Sequence, residues 1–321
     1  MAAVPTYEWF GLQPLSLQLR SLNTCWRSRG RRQARIKFMV WSLGRWFRTT
    51  RPWKVLFVAG FASILGPAAR AQLSFGSIAV LQSADDYLVV AADSKNLSAK
   101  GVSLHRCKVD ALDEQLVFTS TGYGSYDGVR GKWDAITLAK QHYRQFAKAP
   151  RHELISSLAE AYGADLVAKL QPDVKAHPEE GWPQTLVTAL FAGFDERRQR
   201  VVIEVNVHQV RRAKGGVEYS IRRFPASDAA YAEIMGETSI AEEFAAGRTL
   251  RSQSWRNGLD FQVQGLGVKE RLIAGAEYMV ELTARYQPTV VGGAVDTVLV
   301  SRKTGVVWIH HKPECTRRIR H

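Results

Sequence analysis

Along residues 72–321, strand-type and helix-type segments arrive in runs, and that order constrains the fold of this chain more than any single motif does. Period-two patterning predicts strands at 77–82 and 87–93, joined by the polar turn Ser83-Ala84-Asp85-Asp86, and two more near 102–109 and 115–121. Apolar residues at three- and four-residue spacing then predict helices over 133–146 and 152–170, with Pro150 and Pro172 as punctuation and 181–183 as the end of the block. Strands resume at 185–194, 201–210 and 217–224. A second helical block covers about 228–287 and includes 268–286, and the last strands fall at 293–301 and 306–311. Runs rather than alternation disfavour a parallel βαβ sheet and predict a layered α+β fold, with antiparallel sheets covered by helices. Segments 88–92 and 185–192 are largely apolar on both faces, as in a sheet buried between a second sheet and a helical layer.

Charge divides the chain in two. The net charge is +14, yet residues 1–71 hold twelve of the 44 Lys+Arg and one of the 30 Asp+Glu, so the remaining body is close to neutral. A near-neutral body lacks the Lys/Arg field that sequence-independent phosphate binding needs, and no nucleic-acid partner is expected. Within 39–71, the cations Arg45, Arg48, Arg51 and Lys54 precede an apolar run over 55–65, a Gly66-Pro67 break and Ala69-Arg70-Ala71. This is the layout of a secretory signal peptide with cleavage after Ala71, which predicts a periplasmic or secreted protein. The apolar run is shorter than the roughly 20 residues of a comfortable span, so no stable membrane span is expected after cleavage; an uncleaved anchor is the alternative. Residues 1–38 lengthen the basic region beyond the usual and read as spurious upstream sequence ahead of a start at Met39, with an organellar transit peptide ranked second. Residues 72–321 are expected to form a single domain.

Export leaves the mature chain two cysteines, Cys107 and Cys315. Two readings stand: one disulfide, or two buried free thiols. No Cys-x-x-Cys or His-rich spacing points to a metal, and no cofactor is called for. The stretch Gly122-Tyr123-Gly124-Ser125-Tyr126-Asp127-Gly128 reads as a Gly-rich turn between strand and helix rather than a nucleotide loop, and no G-x-S-x-G elbow occurs.

A constellation spread over the first four strands carries a resemblance. Ser77-Ile78-Ala79-Val80-Leu81, then Ala91-Ala92-Asp93-Ser94-Lys95, Lys108, and Thr119-Ser120-Thr121-Gly122, with the late run Val291-Gly292-Gly293-Ala294-Val295, resemble proteasome β-type subunits and their bacterial relatives, the N-terminal nucleophile hydrolases. The resemblance covers residues 77–311. It implies a four-layer αββα sandwich of two antiparallel sheets and an amidohydrolase or peptidase acting on peptide or amide bonds. It also implies a homo-oligomeric ring, although a monomer would bury the same helices differently. The residues it implies for the site are Ser77 as nucleophile, Asp93 and Lys108 as a supporting pair, and Gly122 at the oxyanion.

The chemistry behind such a set is short. A hydroxyl is a weak nucleophile at neutral pH, and a free α-amine, with an ordinary pKa of about 7.7–8.0, can serve as base on the same residue. The nucleophile must then be residue one. A lysine beside it stabilises developing negative charge, and an aspartate holds that lysine charged and aimed. Ser77 lies sixteen residues before Asp93, which is the family spacing, whereas aligning the apolar pattern instead puts Phe75 first and leaves no nucleophile. Cleavage after Ala71 exposes Gln72, so a second cut before Ser77 is required. Pro288 and Val291 stand where the family carries an Asp and a Ser around the nucleophile's amine. The alternative reading is a non-catalytic protein using the same fold for assembly or binding.

Overall fold

Val, Ile, Leu and Ala dominate the first two strands, β1 (Ile78–Ala84) and β2 (Tyr87–Ala92), and their alternate residues enter two different cores. Ile78, Val80, Val89 and Ala91 point one way, while Ala79, Leu81, Leu88, Val90 and Ala92 point the other. This is how a strand buried on both faces reads. The computed structural model describes residues 77–315 except 85, 99–100, 104–105, 129–130, 177–183, 211–214, 226–229 and 313–314. The leader with its cut after Ala71 and the block end at 181–183 lie outside the described residues.

The remaining strands are β3 (Asn96–Ser98), β4 (Gly101–Ser103), β5 (Val109–Ala111), β6 (Leu116–Gly122), β7 (Ser125–Gly128), β8 (Gly131–Asp134), β9 (Thr185–Phe194), β10 (Arg200–Val210), β11 (Gly216–Arg223), β12 (Tyr231–Gly236), β13 (Asp296–Ser301) and β14 (Gly305–His310). The helices are α1 (Ala135–Phe146), α2 (Arg151–Ala176), α3 (Ser239–Ala246), α4 (Leu250–Val263) and α5 (Val268–Tyr286). One five-stranded sheet has the order β12-β1-β2-β13-β14 and a second has β11-β10-β9-β6-β5. Every pairing in both is antiparallel. Among the described residues the fold is therefore mixed α+β, with two five-stranded antiparallel sheets and five helices.

Three apolar clusters fill the spaces between these elements. One joins α1 and α2 to the second sheet through Leu158, Tyr162 and Leu166 against Phe118, Phe191 and Val205. One joins α5 to the first sheet through Ala276 and Val280 against Ile78 and Val89. The third lies between the sheets, with Leu81 and Val90 against Leu190 and Val202. Helix–sheet, sheet–sheet and sheet–helix cores in that succession are compatible with a sandwich. Phe118, Tyr162 and Phe191 meet at 5.1–5.5 Å between ring centroids, two of the three pairs edge to face. The Tyr162 hydroxyl is buried there without a hydrogen-bond partner, which also drives its pKa far above the ordinary tyrosine value. Tyr162→Phe is accordingly expected to raise stability by up to about 1 kcal/mol, read as a higher urea midpoint; a lower midpoint would reveal a partner for that hydroxyl.

Several expected elements are corrected. The strand expected near 102–109 is interrupted: a β3–β4 hairpin precedes it and β5 begins only at Val109, because residues 106–108 are held by side-chain and disulfide bonds instead of a ladder. The Gly122–Gly128 stretch is not a simple turn, since 125–128 pairs with 131–134 as a second hairpin. Helix α1 starts at Ala135, two residues later than expected, because the Asp134 carboxylate accepts from Thr137 N at 3.0 Å and caps it there. Pro172 does not end α2: the final turn stays in place with Val174 buried and Gln171 bonded to Val217 N at 3.1 Å and to Gly215 O. The helical block expected from 228 begins instead with β12, whose Ala, Glu and Met favour helix locally. The open edge of β1 overrides that preference by offering a ladder from Ser83↔Tyr231 to Ile78↔Gly236. The first hairpin turn is shorter than expected, since β1 extends through Ala84.

Candidate active site

Where β2 ends, Asp93 leaves the ladder and turns its carboxylate inward, with no exposed surface. Four donors converge on it. Lys108 Nζ donates to Oδ1 at 2.7 Å and Ile78 N donates to the same oxygen at 3.0 Å. Lys95 N and Gly292 N donate to Oδ2 at 3.2 and 3.1 Å. A buried charge is tolerable only when its lone pairs are filled and an opposite charge faces it, and both conditions hold here. The Lys108 ammonium is buried to 4 % exposure. Burial lowers its pKa from 10.5 to about 8 against the opposing pull of Asp93, with Arg106 and Lys312 lowering it further. Lys108 therefore loses its charge well below the ordinary lysine range.

Ser77 sits directly before the residue whose amide grips Asp93, so the Asp93–Lys108 pair lies beside the start of β1. Its carbonyl accepts from Glu237 N at 2.9 Å, and Asp93 N donates to Ile78 O at 3.3 Å. A Cβ on Gly236 would lie 2.0 Å from Ser77 O and 3.2 Å from the Thr121 Cβ. The start of β1 and the end of β6 thus close on one glycine, which brings Ser77 next to the Thr121-Gly122 step. Gly122 has φ +82°, and a Cβ there would stand 2.3 Å from Leu186 O, so only glycine fits.

The late Gly-Gly run closes the arrangement from the other side. Gly292 O accepts from Ser94 N at 3.2 Å and from Lys95 N at 2.8 Å, while its own N–H goes to Asp93. Lys95, which the sequence offered only as part of a run, is buried with its ammonium on the carbonyl of Pro288. At the positions where the resemblance calls for an Asp and a Ser there is accordingly a backbone carbonyl serving a lysine at Pro288 and a buried apolar side chain at Val291. No sequence signal announced a second buried pair, Lys312 with Asp296 at 2.5 Å, because its partners are sixteen residues apart and neither belongs to a recognised run. Cys107 and Cys315 are joined by a disulfide with Cα atoms 5.7 Å apart.

Among the described residues, no group of three His, Cys, Asp or Glu side chains is arranged to hold a metal ion, and no helix is long and apolar enough to cross a membrane. What the arrangement can supply is a buried cation held on Asp93, next to the start of β1. Compared with family models and with curated proteins, the chain matches none.

Proposed function

We propose that this chain is an exported amidohydrolase or peptidase of the N-terminal nucleophile type, folded as the four-layer αββα sandwich of proteasome β-type subunits over residues 72–321. The observation that carries the reading is the buried Lys108–Asp93 pair, anchored through Asp93 to the amide of the residue after Ser77. In this mechanism cleavage before Ser77 frees its α-amine, which takes the proton from Oγ as that oxygen attacks a peptide or amide carbonyl. The Lys108 ammonium holds the α-amine in its neutral, basic form and stabilises negative charge growing on the nucleophile. The backbone around Gly122 receives the tetrahedral oxyanion, whose collapse breaks the C–N bond as the α-ammonium returns its proton to the departing amine. Water, deprotonated by the same α-amine, then hydrolyses the ester on Oγ and restores the hydroxyl. No metal or organic cofactor enters these steps, and the substrate is a peptide or another amide.

Export is supported by the leader's charge and apolar run, and the disulfide suits an oxidising compartment. A second reading, a non-catalytic protein using the fold for assembly in a homo-oligomeric ring or for binding, is favoured by one feature: no polar side chain stands at Pro288 or Val291.

Sequencing the N-terminus of the mature protein tests the proposal. A start at Ser77 supports the enzyme, and a start at Gln72 sinks it. The pH profile of peptide-amide hydrolysis is a second check. Activity should rise as the α-amine loses its proton, below its ordinary value of about 7.7–8.0 because the Lys108 ammonium opposes its charge, and fall as Lys108 loses its own above about 8. The result is a narrow bell near pH 8 whose limbs belong to the coupled pair. A rate that kept climbing to about pH 10, the ordinary lysine range, would mean either that Lys108 keeps its proton far above about pH 8 or that its charge is not needed, and would overturn the bell.

A further inference from the structure

Three consecutive residues leading into β5 are each held by a different kind of bond. The Arg106 guanidinium donates to Ser125 Oγ at 2.7 Å, to Asp134 Oδ2 at 3.0 Å, to Asn96 Oδ1 at 3.3 Å and to Gly124 O, which fastens it to the β7–β8 hairpin and the cap of α1. Its backbone N donates to Ser94 O at 3.1 Å, and its carbonyl accepts from Lys312 Nζ at 2.8 Å. Cys107 is bonded to Cys315, and Lys108 ends on Asp93.

Lys312 is tied in turn to Asp296, through Nζ to Oδ2 at 2.5 Å and through its backbone N to Oδ1 at 3.1 Å. Asp296 is paired with Ala92 across the β2–β13 ladder, so it is the cross-strand neighbour of the residue before Asp93. Two buried Lys–Asp pairs therefore lie side by side, one from the middle of the chain and one brought by its C-terminal part. The disulfide joins the residue before Lys108 to the third residue after Lys312, and Cys315 N donates to Lys312 O at 2.9 Å.

We propose that Lys312 and the Cys107–Cys315 disulfide together form a strap that positions the Lys108 ammonium on Asp93, and that cleavage of the disulfide by a dithiol releases it. Lys312 and the two cysteines are positioning residues, since they act through the 106–108 segment. The exchange balances: the dithiol gives up two electrons and two protons to become a disulfide, and Cys107 and Cys315 become two thiols. The groups facing Lys108 are Asp93 at the end of β2, Arg106 on its own segment and Lys312 from the C-terminal part, whose charge is balanced by Asp296 on β13. Releasing the strap admits water and moves a like charge away, which favour the ammonium, and loosens its contact with Asp93, which disfavours it; burial is the largest of these causes, so the net change is upward.

The inference rests on reading Lys108 as a site residue, but its test needs no turnover. Lysine side chains isotopically labelled at Cε are titrated by NMR, the Lys108 signal being identified by its loss in Lys108→Arg. In the oxidised protein its midpoint is expected near 8. After reduction by dithiothreitol, and independently in Cys315→Ser, it should rise by about one unit or more toward the ordinary lysine value. A midpoint that does not move overturns the strap, and so does loss of the whole fold on reduction, because the disulfide would then be a staple for the domain. If the midpoint moves and peptide amides are hydrolysed in neither state, the strap stands and the hydrolase reading falls. Hydrolysis that continues unchanged on reduction, with an unmoved midpoint, removes the strap and leaves the hydrolase.

Discussion

Asp93→Ala should lower the free energy of unfolding by about 3–5 kcal/mol, a large fraction of the roughly 5–15 kcal/mol that holds a typical domain together. The substitution removes the counter-charge that Asp93 sets against the buried Lys108 ammonium and takes the carboxylate acceptor from the amides of Ile78 and Gly292, while Lys95 N keeps Gly292 O. Asp93 raises the lysine's pKa while burial lowers it, so removing the carboxylate lowers that value further. Because burial holds the folded-state pKa of Lys108 below the ordinary lysine value, the parent protein gains stability as pH rises from about 8 toward 10.5, whereas the contribution of Asp93, which keeps the proton on, is largest below about 8. The penalty should therefore be larger at pH 6 than at pH 9. Urea unfolding at the two pH values measures it. A loss below about 1 kcal/mol at the lower pH, the size of one ordinary hydrogen bond, would mean that water reaches Lys108 and that the pair is not the anchor of the site.

Ser77→Ala has the largest expected effect on activity. Removing the attacking group of a nucleophile–base unit lowers turnover by orders of magnitude, at least about 1,000-fold here, and it should also block the cut that makes residue 77 the N-terminus. Stability should change little, because the backbone bonds at Ser77 O and Ile78 N do not depend on the hydroxyl. Ser77→Thr keeps a hydroxyl on the same backbone atom and should retain both processing and hydrolysis. The readouts are the mass of the mature chain and the rate on a peptide amide. An alanine variant that matures and hydrolyses like the parent chain would move the nucleophile elsewhere.

The sequence made some parts of this protein legible because the physics that forms them is local. Residues 268–286 bear a three-to-four-residue apolar repeat and form α5, and 185–194 forms β9 at the expected bounds, because a strand apolar on both faces has few alternatives. Asp93 could be singled out by its Ala-Ala-Asp-Ser-Lys run, and Lys108 only through the resemblance that this run and the late Gly-Gly run carry. β12 could not be read in the same way. Its six residues suit a helix as well as a strand, and only the exposed edge of β1 decides between them. The break in the strand expected near 102–109 had the same origin, since the bonds that hold 106–108 come from residues 94, 312 and 315.

By itself the sequence determined a layered α+β chain whose body is close to neutral, with strands in runs and a carboxylate and a lysine placed at strand ends. Periodicity and composition are properties of neighbouring residues, so a reading along the chain captures them. The resemblance offered those two residues as a pair, and only the tertiary structure decided how deeply the pair is buried and what charges surround it. Burial, with Arg106 and Lys312 pressing as like charges, brings the lysine's pKa down to about 8, while Asp93, gripped by the Gly292 amide from 199 residues away, pulls it the other way. Desolvation and Coulomb forces depend on distances in space, and two strand ends fifteen residues apart acquire a shared electrostatic character only when the sheets close around them.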